Sequence, residues 1–191
     1  DGNDTLYGGT GDDILDGGVG TDTASYADSD TDTKVTIDEQ AAAPSNAVSG
    51  KDIISNIEKI QGSDHQDKMD ITLLANSPVT EIDSGADDDI VHLDEWPNLP
   101  NLVVRLGDGD DKITGIPDGA TVYGGAGQDV FFIPLVFRGL GDTTNIPEYT
   151  IADAGPEDRL FAGDIDKNGN DSGWILSGEM RPYGGFTGWY S

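Results

Sequence analysis

Residues 1 to 25 repeat one nonapeptide in unbroken register: DGNDTLY at 1–7, GGTGDDILD at 8–16 and GGVGTDTAS at 17–25. Aspartate recurs every ninth residue, at Asp4, Asp13 and Asp22, and an apolar residue follows two places later, at Leu6, Leu15 and Ala24. Each unit divides into a six-residue GGxGxD turn and a three-residue strand whose central side chain points inward. So short a unit buries that side chain only by stacking on its neighbours. Two units make one coil of eighteen residues, and loops eighteen apart then lie about 4.8 Å from each other, the spacing of neighbouring strands. The fold class expected is all-β: a parallel β-roll, with an irregular central β region and an aromatic-rich C-terminal cap.

The turn chemistry selects a metal. Glycine adopts positive φ at little steric cost, so Gly2, Gly9, Gly11, Gly18 and Gly20 let the chain fold back while several carbonyl oxygens face the space beside it. The aspartate closes that space with a charged oxygen. Hard oxygen donors of this kind suit Ca²⁺, which accepts six to eight of them in flexible geometry. Zinc or copper would want His or Cys. The chain has no cysteine and only His65 and His92, which lie 27 residues apart (92 − 65) and are read as surface residues. Asp4 and Asp22, one coil apart, are expected to share an ion.

These repeats resemble the RTX family, whose glycine- and aspartate-rich nonapeptides form a calcium-loaded parallel β-roll. Weaker copies extend the resemblance: GSDHQDKM at 62–69, SGADDDIV at 84–91, LGDGDDKI at 106–113 and GGAGQDVF at 124–131 keep the turn aspartate, at Asp67, Asp89, Asp111 and Asp129. Gly107, Gly109, Gly125 and Gly127 complete the calcium-binding set in these turns. Asp111 and Asp129 are 18 apart (129 − 111), one coil, so a second shared ion is expected there. Ala120 replaces the aspartate in the half-turn between them, which should bind nothing. The gaps from Asp67 to Asp89 and from Asp89 to Asp111 are 22, four longer than a coil, so these loops are expected to bulge. For Asp67 and Asp89 a solvated turn carboxylate and a metal ligand remain open alternatives.

The segment from residue 27 to 61 is similar to an insertion found in RTX chains, in which a strand written IEN leads back to a degenerate turn; here it reads IEK. Residues 38–52 are small, polar and Pro-containing, a surface loop by composition. Ile53, Ile57 and Ile60 would suit a short amphipathic helix, but the resemblance favours strand. After the last repeat, YTIADAGPEDRLFAGDI resembles the element that closes RTX rolls, with Ala154 where a Phe is usual. The expected organisation is one domain over 1–191: regular repeats 1–26, insertion 27–61, degenerate repeats 62–132 and cap 133–191. Trp96, Trp174, Trp189, Tyr183, Tyr190 and the phenylalanines at 131, 132, 137 and 161 are read as capping core that covers the open end of the roll. A carbohydrate-stacking platform is the alternative.

One more cluster invites a metal reading. Asp164, Asp166, Asn168 and Gly169 reproduce the DxDxNG opening of an EF-hand-type loop, with Asp171 as a further ligand. The glutamate of the twelfth place is absent, since Ile175 stands there, and an acidic solvated β-turn explains the same residues.

Charge constrains the rest. Ten basic against 37 acidic residues leave a formal net charge of −27 on 191 residues. A glycine-rich chain so charged repels itself until cations neutralise it, so folding is expected to be coupled to calcium, with binding energy serving as folding energy. Such a chain repels nucleic-acid phosphates and anionic membranes. Its longest apolar run, VFFIPLVF, is too short and Pro-interrupted to span a bilayer. Calcium is scarce in cytoplasm and abundant outside cells, and the resemblance implies export through a one-step secretion channel, so a secreted or cell-surface location follows. Beginning in mid-repeat, the chain is expected to be part of a larger protein. No HExxH or GxSxG occurs, and calcium and turn geometry account for most carboxylates, so no catalytic residue is expected. Two functions remain: a non-catalytic calcium-binding module of a secreted protein, toxin or adhesin, or a polysaccharide-binding or chaperone-like appendage of a secreted protease, lipase, epimerase or lyase.

Overall fold

A computed structural model describes residues 1–28, 33–38, 51–94, 98–133, 150–162 and 174–175. Among them are sixteen strands and no helix. The strands are β1 Thr5–Tyr7, β2 Ile14–Asp16, β3 Thr23–Ser25, β4 Thr33–Asp38, β5 Lys51–Ser55, β6 Lys59–Gln61, β7 Asp67–Thr72, β8 Glu81–Asp83, β9 Ile90–Asp94, β10 Val103–Asp108, β11 Lys112–Thr114, β12 Thr121–Ala126, β13 Val130–Ile133, β14 Thr150–Ile151, β15 Arg159–Ala162 and β16 Trp174–Ile175.

They form two sheets, ordered β1-β3-β6-β8-β10-β12-β14 and β16-β15-β13-β11-β9-β7-β4-β5-β2. Every pairing is parallel except β15 with β16, which is antiparallel. The chain thus crosses from one sheet to the other at nearly every strand, which is a parallel β-roll. Strands of three residues suffice because each presents one inward side chain and is held by neighbours on both sides. One inward column runs Ala24, Ile60, Ile82, Val104 and Val122; the facing one runs Met69, Val91, Ile113, Phe131 and Leu160, while Leu15 and Ile54 pair with each other on the far side of β4, all of them buried. Ile82 and Ile113 are fully enclosed. Cutting Ile82 to alanine is expected to cost about 2–5 kcal/mol, read as a lower midpoint in denaturant at saturating calcium.

The irregular centre lies where β4 and β5 follow one another in the same sheet. β4 pairs with β7, and β5 turns back to fill the place between β4 and β2. Ile53 and Ile60 stand in strands β5 and β6, so the strand reading of this stretch holds and the helical spacing was incidental. The proposed surface loop is shorter than its composition suggested: Asp38 ends β4, while Lys51 and Asp52 open β5, and Asp52 is 4% exposed. Residues 39–50 lie outside the described residues, as do Trp96, Phe137, Tyr183, Trp189, Tyr190 and most of the expected cap. Of the aromatic set, Phe131 is core, Phe132 and Phe161 stack with ring centroids 5.0 Å apart, and Trp174 lies in β16.

The four extra residues of the 22-residue coils correct one expectation. The turns 62–67, 84–89, 106–111 and 124–129 are all six residues long and stack without a bulge. The surplus is taken up by the longer strands β7 and β9 and by the connections after them on the opposite edge, of which 73–80 and 98–102 are described. That edge there is apolar: Leu73, Val79, Leu99, Leu102, Ile116 and Ala120 are buried. Apolar side chains hold these connections, so their length is free to vary while the acidic turns stay in register.

Candidate metal centre

Each six-residue turn ends with its carboxylate just before a strand, and parallel register places these carboxylates in columns. One column comprises Asp67, which opens β7, and Asp89, Asp111, Asp129 and Asp158, which precede β9, β11, β13 and β15. Their backbones are stitched by the side chains. The N–H of Asp67 donates to Asp89 Oδ1 at 2.8 Å, that of Asp89 to Asp111 Oδ1 at 2.8 Å, that of Asp111 to Asp129 Oδ1 at 3.1 Å, and that of Asp129 to Asp158 Oδ1 at 3.0 Å. The second column opens the chain: the Asp4 N–H donates to Asp22 Oδ1 at 2.7 Å, and the Asp22 N–H to Glu58 Oε2 at 2.7 Å. A third contact joins the Asp13 N–H to Asp52 Oδ1 at 2.9 Å.

The residue before each carboxylate works in the other direction. Asp88 Oδ1 accepts from the Asp110 N–H at 2.8 Å, Asp110 Oδ1 from the Gln128 N–H at 2.9 Å, and Asn3 Oδ1 from the Thr21 N–H at 3.0 Å. Adjacent coils are therefore tied both ways by side chains that a strand ladder would not use.

The nine glycines expected in the turns, Gly2, Gly9, Gly11, Gly18, Gly20, Gly107, Gly109, Gly125 and Gly127, all have positive φ. Asp87 also has positive φ, 74°, where the turns 106–111 and 124–129 have Gly109 and Gly127. At Gly125 the requirement is twofold: φ is 98°, and a Cβ would fall 1.9 Å from the carbonyl oxygen of Gly107 in the coil below. Gly9, φ 67°, has open space around it. Gly125→Ala is expected to cost well over the 1–2 kcal/mol of a left-handed residue, and Gly9→Ala no more than about that amount; thermal unfolding of the two variants in calcium checks the difference.

Burial sets the electrostatics. Asp22, Asp67, Asp89, Asp111 and Asp129 are at most 1% exposed, so the solvated-turn reading of Asp67 and Asp89 is overturned. Desolvation lifts the Asp89 and Asp111 carboxyls from 3.8 to about 7 and that of Asp129 to about 6, outweighing the backbone N–H bonds that pull the other way. The Oδ2 atoms of Asp13, Asp22, Asp89 and Asp111 are buried and have no hydrogen-bond partner. A buried anionic oxygen left unpaired is costly, and this is the feature that fits a hard cation. Among the described residues no three His, Cys, Asp or Glu side chains converge on one point, so an ion here would draw most of its ligands from backbone carbonyls, as the glycine-rich turns provide.

Several participants escaped the sequence reading. Glu58, the acid of IEK, takes the aspartate's place with a side chain one methylene longer. Asp52 and Asp158 continue the columns, and Asp153 holds the N–H groups of Gly124 and Gly125 at 2.8 and 3.1 Å. The signal for Asp158 was present: DAGPED has the length and the final aspartate of a repeat turn. Asp164, Asp166, Asn168 and Asp171 lie outside the described residues. His65 and His92 are half-buried rather than superficial; His92 Nδ1 bonds Thr114 Oγ1, and neither histidine joins a carboxylate column.

Residues 1–24 match the family model of the RTX calcium-binding nonapeptide repeat (4 copies). The chain therefore carries calcium-binding RTX repeats, and the all-β parallel roll described above is the architecture that such repeats build. No curated protein matches the chain. Among the described residues no helix is long and apolar enough to cross a membrane.

Proposed function

We propose that this chain is a non-catalytic calcium-binding module of a secreted protein, folding when it meets calcium outside the cell and serving there as a rigid scaffold. The observation that carries this reading is the set of buried carboxylate oxygens without partners in turns whose carbonyls and backbone angles suit a hard, oxygen-seeking cation. Asp4 with Asp22, and Asp111 with Asp129, are the pairs expected to share ions, since backbone–carboxylate bonds already join them across one coil. The bound ion would supply positive charge to oxygens that otherwise repel one another. Equilibrium dialysis tests the reading: several calcium ions per chain, not displaced by equal magnesium, support it. A chain that binds none, or binds magnesium as well, sinks it.

One observation favours a second reading, an appendage that binds an acidic polysaccharide for an enzyme. Lys68, Lys112 and Arg159 occupy one register row on the outer face of the β7-β9-β11-β13-β15 sheet, two strands or about 10 Å apart. Beside them on that face the Phe132–Phe161 pair offers aromatic surface. Calorimetry with acidic and neutral glycans, calcium present, decides. Binding of acidic chains that is lost in K112E supports the appendage, and silence across the panel removes it.

A further inference from the structure

The turn carboxylates differ in how their second oxygen is treated. At Asp13, Asp22, Asp89 and Asp111 it is buried and unpartnered. At Asp52 it is not: the Tyr26 hydroxyl donates to Asp52 Oδ2 at 2.6 Å, with Tyr26 only 2% exposed. The ring fills the concave side of the first full turn, where a Cβ on Gly8 would come within 2.5 Å of Tyr26 Cε1 and 2.9 Å of Asp52 Oδ2. At Asp67 both oxygens are engaged within their own turn. Ser63 donates its N–H to Oδ2 at 2.6 Å and its hydroxyl to Oδ1 at 2.9 Å. Ser63 stands where Gly9, Gly85, Gly107 and Gly125 stand in the other turns.

Both hydroxyls fall at the same place in the fold. Tyr26 follows β3, where the chain leaves its regular repeats, and Asp52 lies in β5, which fills the gap so made. Ser63 and Asp67 form the first turn after the insertion. Here β4 and β5 break the alternation of the sheets, so the turns on the two sides of the insertion do not belong to one regular series of coils.

We propose that the Tyr26 and Ser63 hydroxyls replace the ion at Asp52 and Asp67, making the insertion an ion-free lock between two separate calcium groups, one at Asp13 and Asp22 and one at Asp89 and Asp111. The inference rests on the calcium reading above and deepens it. It also changes the role of Asp67, which sequence pattern alone places among the ligands: its carboxylate is a structural partner of Ser63.

Native mass spectrometry of the intact chain in excess calcium counts the ions directly. Asp111→Asn is expected to lose an ion and Asp67→Asn to lose none, while Ser63→Gly, which releases an oxygen of Asp67 and restores the repeat glycine, gains one. Tyr26→Phe removes only a hydroxyl; it is expected to keep the wild-type count and to melt at a lower temperature at every calcium concentration. A lost ion in D67N, an unchanged count in S63G, or a Y26F chain as stable as wild type overturns the lock. A wild-type chain that binds no calcium overturns the function reading itself, a result plainly different from calcium bound in a count that Asp67 controls.

Discussion

Stripped of divalent ions at neutral pH, the chain is expected to give the far-UV circular dichroism of a disordered polypeptide, and calcium is expected to restore a β spectrum cooperatively. The net charge of −27 is concentrated by the fold, which draws Asp67, Asp89, Asp111, Asp129 and Asp158 into a single column at strand spacing. Without a cation the column gathers like charges whose buried oxygens have lost water and gained nothing in return. The apolar interior works against this, since columns such as Ile60, Ile82, Val104 and Val122 are wholly enclosed. A narrow core one side chain deep per strand is nevertheless small for the number of residues it must order. Metal binding therefore supplies folding energy. Magnesium at equal ionic strength serves as the control, because it demands octahedral geometry and keeps its own waters. A β spectrum already present in EDTA, or restored equally by magnesium, would show that the apolar core or simple screening suffices.

The second large effect is on pH. The carboxyls of Asp89 and Asp111 stand near 7 and that of Asp129 near 6 in the ion-free fold, against 3.8 in an ordinary setting. Between those values the folded chain holds more protons than the unfolded one. The sign follows by linkage: stability of the ion-free fold is greatest at acid pH and falls as pH rises from about 4 to about 7. Calcium must displace the same protons, so its affinity runs the opposite way. From about pH 8 to about pH 6 the calcium affinity of the ion-free fold is expected to fall roughly tenfold for each carboxylate raised to about 7, while the ion-free fold gains the same factor in stability, so the calcium midpoint for folding the unfolded chain is expected to stay level. Far-UV circular dichroism of the calcium-free chain at pH 5 and pH 7 reads this directly, with more β signal expected at pH 5. A calcium-free chain with no more β structure at pH 5 than at pH 7 would show that these carboxylates are ionised in the folded chain before any ion binds.

Both expectations depend on residues that the sequence alone revealed unevenly. The nonapeptides of residues 1–25 determined the coil, its parallel register, its inward column and its glycine angles, because a nine-residue period with fixed turn chemistry leaves the backbone few choices. The turn aspartates were legible for the same reason, down to Asp129. Glu58 was not, since a longer acid in IEK matches no GGxGxD pattern, and only strand pairing brings its carboxylate to the Asp22 N–H. Nor was the fate of the extra four residues per coil: the sequence spacing gives their number, but the choice between the two edges depends on which connection can bury apolar side chains. Tyr26 and Ser63 were invisible as partners of carboxylates for a similar reason. Tyr26 meets Asp52 across 26 residues, through an insertion that returns a strand to the sheet it had left. Local pattern thus determined what each turn is built from and which ion its oxygens suit. Only the stacking of coils decided which of those oxygens remain unpaired, because their partners come from neighbouring coils that sequence distance does not mark.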